Sequence, residues 1–243
     1  MKTLLTIGDS HTFGAEILGE GNYFEKNKLY SFPQKLADLL GYRVDNLGES
    51  GASIKRTERV LVDYLARNST PDLIVIGWTC LGRWEICKGT DEEGEYVYEQ
   101  WNSWLDESHK RNMDTYNALL PIVTADDLLA EKYRTVIRCQ QLIKSYNIPY
   151  IMFDVMEHTK KIAPISGSDK GGDKLDKLWS GTNSLDISLE KMIDTKYYIS
   201  QVYWEYIMQS KKFPNVKING GHSNEEGHRV WANFLFNKIK ELY

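Results

Sequence analysis

Short apolar segments alternate with longer segments of helical period along most of this chain, and that alternation limits its folds more than any other feature. Residues 4–7 are apolar and β-prone and end at Gly8. Residues 32–40 carry apolar side chains at helical spacing and end at Gly41, and residues 42–47 read as a second strand that breaks at Gly48. A helix is expected over 54–66, with Val60, Leu61 and Leu65 on its apolar face, followed by a fully apolar strand over 73–76. A helix over 128–146, a strand over 149–155, a helix over 199–208 and a short fifth strand over 216–219 continue the pattern. The last helix is expected to start near Asn224, with Ser223 and Glu226 as a capping box and Val230, Trp231, Phe234, Leu235 and Ile239 as its apolar face. This order implies a doubly wound α/β/α sandwich around a parallel sheet of about five strands, whose working site lies beyond the carboxyl ends of the strands. Two stretches break the rhythm: a polar, aromatic insertion over about 88–125, with Tyr96, Tyr98, Trp101, Trp104 and Tyr116, and a long loop over about 157–197, rich in Gly, Ser, Asp and Lys.

The 243 residues suit a single domain spanning 1–243, large enough to bury a core without disulfides or metal. A net charge of −4, with lysine and arginine scattered rather than striped, gives no reason to expect a nucleic-acid partner. No apolar run is long enough to span a bilayer, so no membrane partner is expected either. The stretch Met1 to Ser10 is read as a first strand rather than a leader, and the chain is expected to be unprocessed and cytoplasmic. Three cysteines, Cys80, Cys87 and Cys139, are an odd number without metal-ligand spacing and suit free thiols in a reducing compartment. His109 and His158 stand apart from any ligand pattern, and no metal site or cofactor is expected.

The chemistry centres on two residues at opposite ends of the chain. Ser10 follows the first strand directly and therefore stands at the carboxyl edge of the sheet. His222 follows the fifth strand and precedes the last helix, which places it at the same edge. A serine hydroxyl is a weak nucleophile and needs a base within hydrogen-bond reach, and histidine titrates close to neutrality. Ser10 Oγ is therefore expected within or near hydrogen-bond reach of a His222 ring nitrogen. There is no G-x-S-x-G elbow, Walker loop, G-x-G-x-x-G or H-E-x-x-H run.

Ile7-Gly8-Asp9-Ser10-His11 resembles the first block of the GDSL/SGNH hydrolases. The stretch from Asn46 to Ser53 resembles their second block, with Gly51 as its glycine. His222-Ser223-Asn224, followed by Gly227-His228, is similar to their last block, and Val75 to Thr79 falls where the third belongs. The Gly77-Trp78-Thr79 wording, with Arg83 and Glu85 behind it, is similar to divergent members carried by tailed bacteriophages. The resemblance implies a flavodoxin-like three-layer fold, Ser10 as nucleophile and His222 as general base. It also implies an oxyanion hole formed by the backbone N–H groups of Ser10 and Gly51, with Thr79 standing where the family has an asparagine donor. Asp9, His11, Trp78 and Arg83 are candidate substrate contacts; for His11 a local hydrogen-bonding role competes, and His228 is expected to pack in the last helix or face solvent.

The second departure from the family is the acid. Asn219 occupies the place of the aspartate three residues before the histidine. An asparagine can orient the imidazole but not stabilise its charged form; in a serine protease such a change costs about 10⁴ in turnover. Asp154 and Glu157 at the end of the fourth strand, and Glu85 behind the third, are alternative acids. The expected function is a serine esterase acting on a small-molecule or glycan ester, most specifically an O-acetyl group on carbohydrate, with the aromatic insertion as a lid or as a small apolar core of its own. A lysophospholipase or thioesterase is less favoured. The competing reading is a binding or structural protein on a retired hydrolase fold, such as a glycan-binding phage component. Neither reading fixes an oligomeric state.

Overall fold

The computed structural model describes residues 1–19, 24–81, 83–92, 96–102, 125–156, 188–209, 211–219 and 221–243. Strands β1 (Thr3–Ile7), β2 (Arg43–Asn46), β3 (Leu73–Trp78), β6 (Tyr150–Asp154) and β7 (Tyr198–Ile199) form one sheet in the order β2-β1-β3-β6-β7. Every pairing in it is parallel. The inner strands are buried on both faces because successive side chains point to opposite layers. Leu5, Ile7, Ile74, Ile76 and Met152 enter a core beneath α3 (Ile54–Arg67) and α4 (Ala125–Ser145). Leu4, Leu73, Val75, Ile151 and Phe153 enter the other, beneath α2 (Phe32–Leu40) and α6 (Glu225–Leu242). This is the three-layer α/β/α sandwich implied by the alternating pattern.

The ends of the elements have local causes. Ser53 caps α3 by accepting the Arg56 N–H. Gly41 closes α2 with a positive φ of 69°. Ser31 stands before α2 without capping it through its side chain. The ring of His228 does so instead, its Nδ1 accepting the Phe32 N–H at 3.1 Å from the neighbouring helix α6. His228 is thus a buried inter-helix cap rather than a surface residue. The expected capping box of α6 is also corrected. Asn224 is the cap, accepting from the Gly227 N–H, and the Ser223 hydroxyl is engaged with Tyr203 at 2.6 Å.

The fifth strand of the sheet is Tyr198–Ile199, not the expected 216–219. Ile218–Asn219 forms β8 of a separate antiparallel hairpin with β9 (His222–Ser223). A two-residue strand carries almost no periodicity, which is why 199–208 read as wholly helical; the helix there, α5, covers only Tyr203–Ile207. Part of the insertion is an antiparallel hairpin, β4 (Arg83–Thr90) with β5 (Tyr96–Asn102), which begins earlier than expected. Trp104, Tyr116, Glu157 and the Gly- and Ser-rich part of the long loop lie outside the described residues. Among the described residues no helix is long and apolar enough to cross a membrane.

The first helix, α1 (Ser10–Phe13), sits on glycine. A Cβ on Gly8 would stand 2.2 Å from Thr12 Oγ1 and 2.8 Å from the Gly77 carbonyl oxygen; one on Gly48 would stand 2.5 Å from the Phe13 nitrogen. Replacing Gly8→Ala is expected to lower unfolding free energy by about 1–3 kcal/mol, the usual cost of overpacking. Urea unfolding followed by tryptophan fluorescence would measure it, and an unchanged midpoint would refute the packing described.

Candidate active site

Asp9 turns the chain from β1 into α1. Its Oδ1 caps the helix by accepting the His11 N–H at 3.0 Å, while its Oδ2 accepts from Thr79 Oγ1 and from the Arg83 guanidinium, both at 3.0 Å. Arg83 also donates to the Thr79 hydroxyl at 2.8 Å. Burial alone would raise the Asp9 carboxyl, but His11, Arg83 and the hydrogen bonds from Thr79 and the His11 amide outweigh it and hold the group below its ordinary value. Asp9 is thus a buried carboxylate that fixes the start of α1. The one proton of the Thr79 hydroxyl is given to Asp9, so Thr79 is a support of that carboxylate here and not a free oxyanion donor.

Ser10 opens α1, where the first backbone N–H groups of a helix have no acceptor within it. The second block is tied to the same place. The Glu49 N–H donates to the Gly8 carbonyl at 3.1 Å, and Ala52 closes a turn back to Glu49 at 3.1 Å. Gly51 takes the third position of that turn with φ 83°, a conformation that favours glycine. Asn46 fastens both pieces, donating to the Thr12 carbonyl at 3.0 Å and accepting the Gly48 N–H at 2.9 Å.

His222 arrives on the β8–β9 hairpin, and β9 packs against α1. Its Nδ1 lies 2.8 Å from Glu16 Oε2. Glu16 comes from the turn that follows α1: Gly14 ends the helix at φ 91°, and Glu16 itself holds φ 62°. A positive φ on a side chain of this size is uncommon and costly, and such residues gather at working sites. The turn is held by Asn27, fully buried, whose Oδ1 accepts the Leu18 N–H at 3.2 Å.

Glu16 therefore takes the position at His222 that was expected for Asn219. Asn219 pairs with His222 through the backbone register of the hairpin, and its side chain lies outside what is described. The other two described acids are engaged elsewhere. Asp154 accepts from Lys132 and Tyr198, and Glu85 from Arg59. No motif marks Glu16; the available signals were an acid six residues past the serine and the helix-ending Gly14 between them.

Ser10 and His222 are brought to one edge of the sheet, but no hydrogen bond joins Ser10 Oγ to the His222 ring among the described residues. Ser10 is only 4% exposed. Contacts between a nucleophile and its base often tighten only around substrate. His11 fills the space beside His222. Its ring centroid lies 4.8 Å from that of His222, 5.2 Å from Tyr203 and 5.7 Å from Trp204. The candidate substrate contacts have these surroundings. His11 is a buried wall, Trp78 is 0% exposed within the core, and Asp9 and Arg83 are spent on one another. Among the described residues no cluster of His, Cys, Asp or Glu has the makings of a metal site.

Burial lowers the His11 imidazole to about 3, with His222 and Arg83 pushing the same way against the pull of Asp9. Burial, with His11, His222 and Lys35, also holds His228 well below its ordinary value. Both rings are neutral when folded and take up a proton only when unfolded, so their contribution is whole above about pH 6.5 and is lost as pH falls from there toward the folded values. Stability should drop by up to about 1.4 kcal/mol per pH unit for each ring. Urea unfolding at pH 7.5, 6.5 and 5.5 tests this: a flat profile contradicts the neutral burial of both rings, and His228→Leu should flatten the slope in part.

The sequence matches no protein-family model and no curated protein. Solved structures do match its shape. A putative lipolytic protein of the G-D-S-L family from Desulfitobacterium hafniense superposes with a TM-score of 0.50 at 14% identity, covering 98% of this chain and 99% of that one. A carbohydrate esterase family 2 enzyme with a carbohydrate-binding domain, from Corynascus thermopiles (Myceliophthora fergusii), gives 0.54 at 12% identity over 99% of this chain and 66% of that longer one. The psychrotrophic esterase EstA from a Pseudoalteromonas species gives 0.50 at 11% identity over 99% and 98%. With the parallel five-stranded sheet and its order, these likenesses establish that the chain has the GDSL/SGNH hydrolase fold in a divergent form.

Proposed function

We propose that the protein is a serine hydrolase of carboxylic esters, with Ser10 as nucleophile, His222 as general base and Glu16 as the acid that orients it. The observation that carries this reading is the 2.8 Å contact between His222 Nδ1 and Glu16 Oε2. A carboxylate there selects the tautomer with hydrogen on Nδ1, leaves Nε2 as the proton acceptor and stabilises the imidazolium once it forms. An esterase lacking its aspartate is thereby supplied with an acid from the opposite end of the chain.

In this mechanism Ser10 Oγ attacks the ester carbonyl as its proton passes to His222 Nε2. The oxyanion is held by the backbone N–H groups of Ser10 and Gly51, and the Asp9–Thr79–Arg83 cluster keeps the start of α1 in place beneath them. The intermediate collapses, His222 gives its proton to the departing alcohol, and an acyl group remains on Ser10. Water, deprotonated by His222, then attacks the acyl carbonyl, releasing the carboxylic acid and restoring the serine.

The proposed substrate is an O-acetyl group on a carbohydrate. The Corynascus relative in fold is a carbohydrate esterase, and the β4–β5 hairpin adds exposed Tyr96 beside Tyr98, with ring centroids 6.5 Å apart, as stacking surface for sugar rings. A retired, glycan-binding site is the second reading. It is favoured by the missing Ser10–His222 hydrogen bond and by the commitment of Thr79 to Asp9.

Hydrolysis of p-nitrophenyl acetate by wild type, Ser10→Ala and Glu16→Gln, at neutral and mildly alkaline pH, separates the two. The esterase reading expects Ser10→Ala to fall to background and Glu16→Gln to lose roughly 10²–10⁴ in kcat. Equal background rates in all three would move the assignment to binding.

A further inference from the structure

At the edge of the sheet opposite Ser10 and His222 there is a cleft of about 600 Å³. Its floor is made where the parallel strands begin: Lys2 precedes β1, Tyr42 precedes β2, Asp72 precedes β3 and Pro149 precedes β6. Because the strands are parallel, their amino ends share one edge, and a five-residue strand separates that edge from the carboxyl edge by roughly 16 Å. The cleft is therefore distinct from the candidate active site, and nothing in the proposed ester hydrolysis uses it.

Its composition is selective. Tyr42, Tyr146, Tyr243 and Asn147 are among the residues that line it. Tyr243 is preorganised. Its hydroxyl accepts the Tyr150 N–H at 2.9 Å and donates to the Tyr150 carbonyl at 3.1 Å, and its ring lies nearly parallel to that of Tyr197, at 13° and 6.0 Å. So held, Tyr243 is still 56% exposed, and Tyr146 is 45% exposed. Among the lining side chains one is a cation, Lys2, and one an anion, Asp72. Both have partners: the Lys2 ammonium lies 5.5 Å above the Tyr42 ring, and Asp72 Oδ2 accepts the Thr3 N–H at 2.8 Å. With the lysine over a ring and the aspartate on a backbone N–H, neither side chain is arranged to select phosphate or a metal cation. Exposed tyrosines, one of them held in place, beside an asparagine suit a ligand with apolar C–H faces and a rim of hydroxyls.

We infer that this cleft is a second, non-catalytic binding site for neutral saccharides, with the rings of Tyr146 and Tyr243 as its stacking faces. Its size matches the range of small-molecule sites, about 300–1,000 Å³, and accommodates a short stretch of glycan. The inference does not depend on the ester-hydrolase reading: the site binds whether or not Ser10 is active.

The test uses the full chain carrying Ser10→Ala, titrated with cellohexaose, xylohexaose and chitohexaose and followed by amide chemical shifts. The expected result is saturable perturbation by at least one of them around residues 70–73 and 146–149. Adding Tyr146→Ala should weaken that binding about three- to tenfold, the worth of one stacking face, while Tyr146→Phe, which keeps the ring, should bind as before. Tyr146 is exposed and far from Ser10, so Tyr146→Ala in the otherwise native chain should leave p-nitrophenyl acetate hydrolysis unchanged. No saturable perturbation with any of the three sugars overturns the inference. So do perturbations confined to the surroundings of Ser10, Gly51 and His222, or a Tyr146→Ala protein that binds with full affinity.

Discussion

A Cβ added at residue 8 would stand 2.2 Å from Thr12 Oγ1, and one at residue 48 would stand 2.5 Å from the Phe13 nitrogen. The seat of α1 is a steric slot that only glycine leaves open, and much of the site follows from it. With α1 pressed onto the ends of β1 and β3, Asp9 reaches Thr79 and Arg83, Asn46 reaches the Thr12 carbonyl, and the turn after α1 delivers Glu16 to His222. A helix of four residues has little stability of its own. It is held by these contacts and by the absence of side chains beneath it.

The polar groups around that slot are unusually dry. Asp9, His11, Thr79 and His228 are all buried. Asp9 is satisfied by an N–H, a hydroxyl and a guanidinium, which keeps it charged. The two histidines go the other way: burial keeps both neutral, and a neutral His228 can accept the Phe32 N–H only because its Nδ1 carries no proton. A charged carboxylate and two neutral imidazoles therefore share one region because each state is fixed by its own partners. His222 alone among the three clustered histidines has a carboxylate on its ring, the arrangement a general base requires.

The sandwich was legible in the sequence because its inner strands are mostly apolar and its helices amphipathic. The apolar runs at 4–7, 73–76 and 149–155 and the glycine stops at 8, 41 and 48 identify both the layers and the edge where the site lies. The short pieces were not legible. Tyr198–Ile199 and Ile218–Asn219 are two-residue strands whose pairing is decided by tertiary neighbours, not by period. The carboxylate beside His222 was hidden for a similar reason. Motif spacing points to the position three residues before His222, whereas Glu16 reaches the ring through the positive φ of a turn, a conformation that sequence pattern does not encode for glutamate. Burial, which adjacency to a motif does not reveal, places Trp78 in the core and the His11 ring beside that of His222.

The proposed chemistry needs a serine made nucleophilic by a histidine that a glutamate orients. Treatment with diisopropyl fluorophosphate, followed by peptide mass spectrometry, reads that property without a guess at the natural substrate. A single diisopropylphosphorylated residue is expected, Ser10, labelled in wild type and far more slowly in Glu16→Gln and His222→Ala. A folded wild-type protein that stays unlabelled, or one labelled elsewhere, would contradict it.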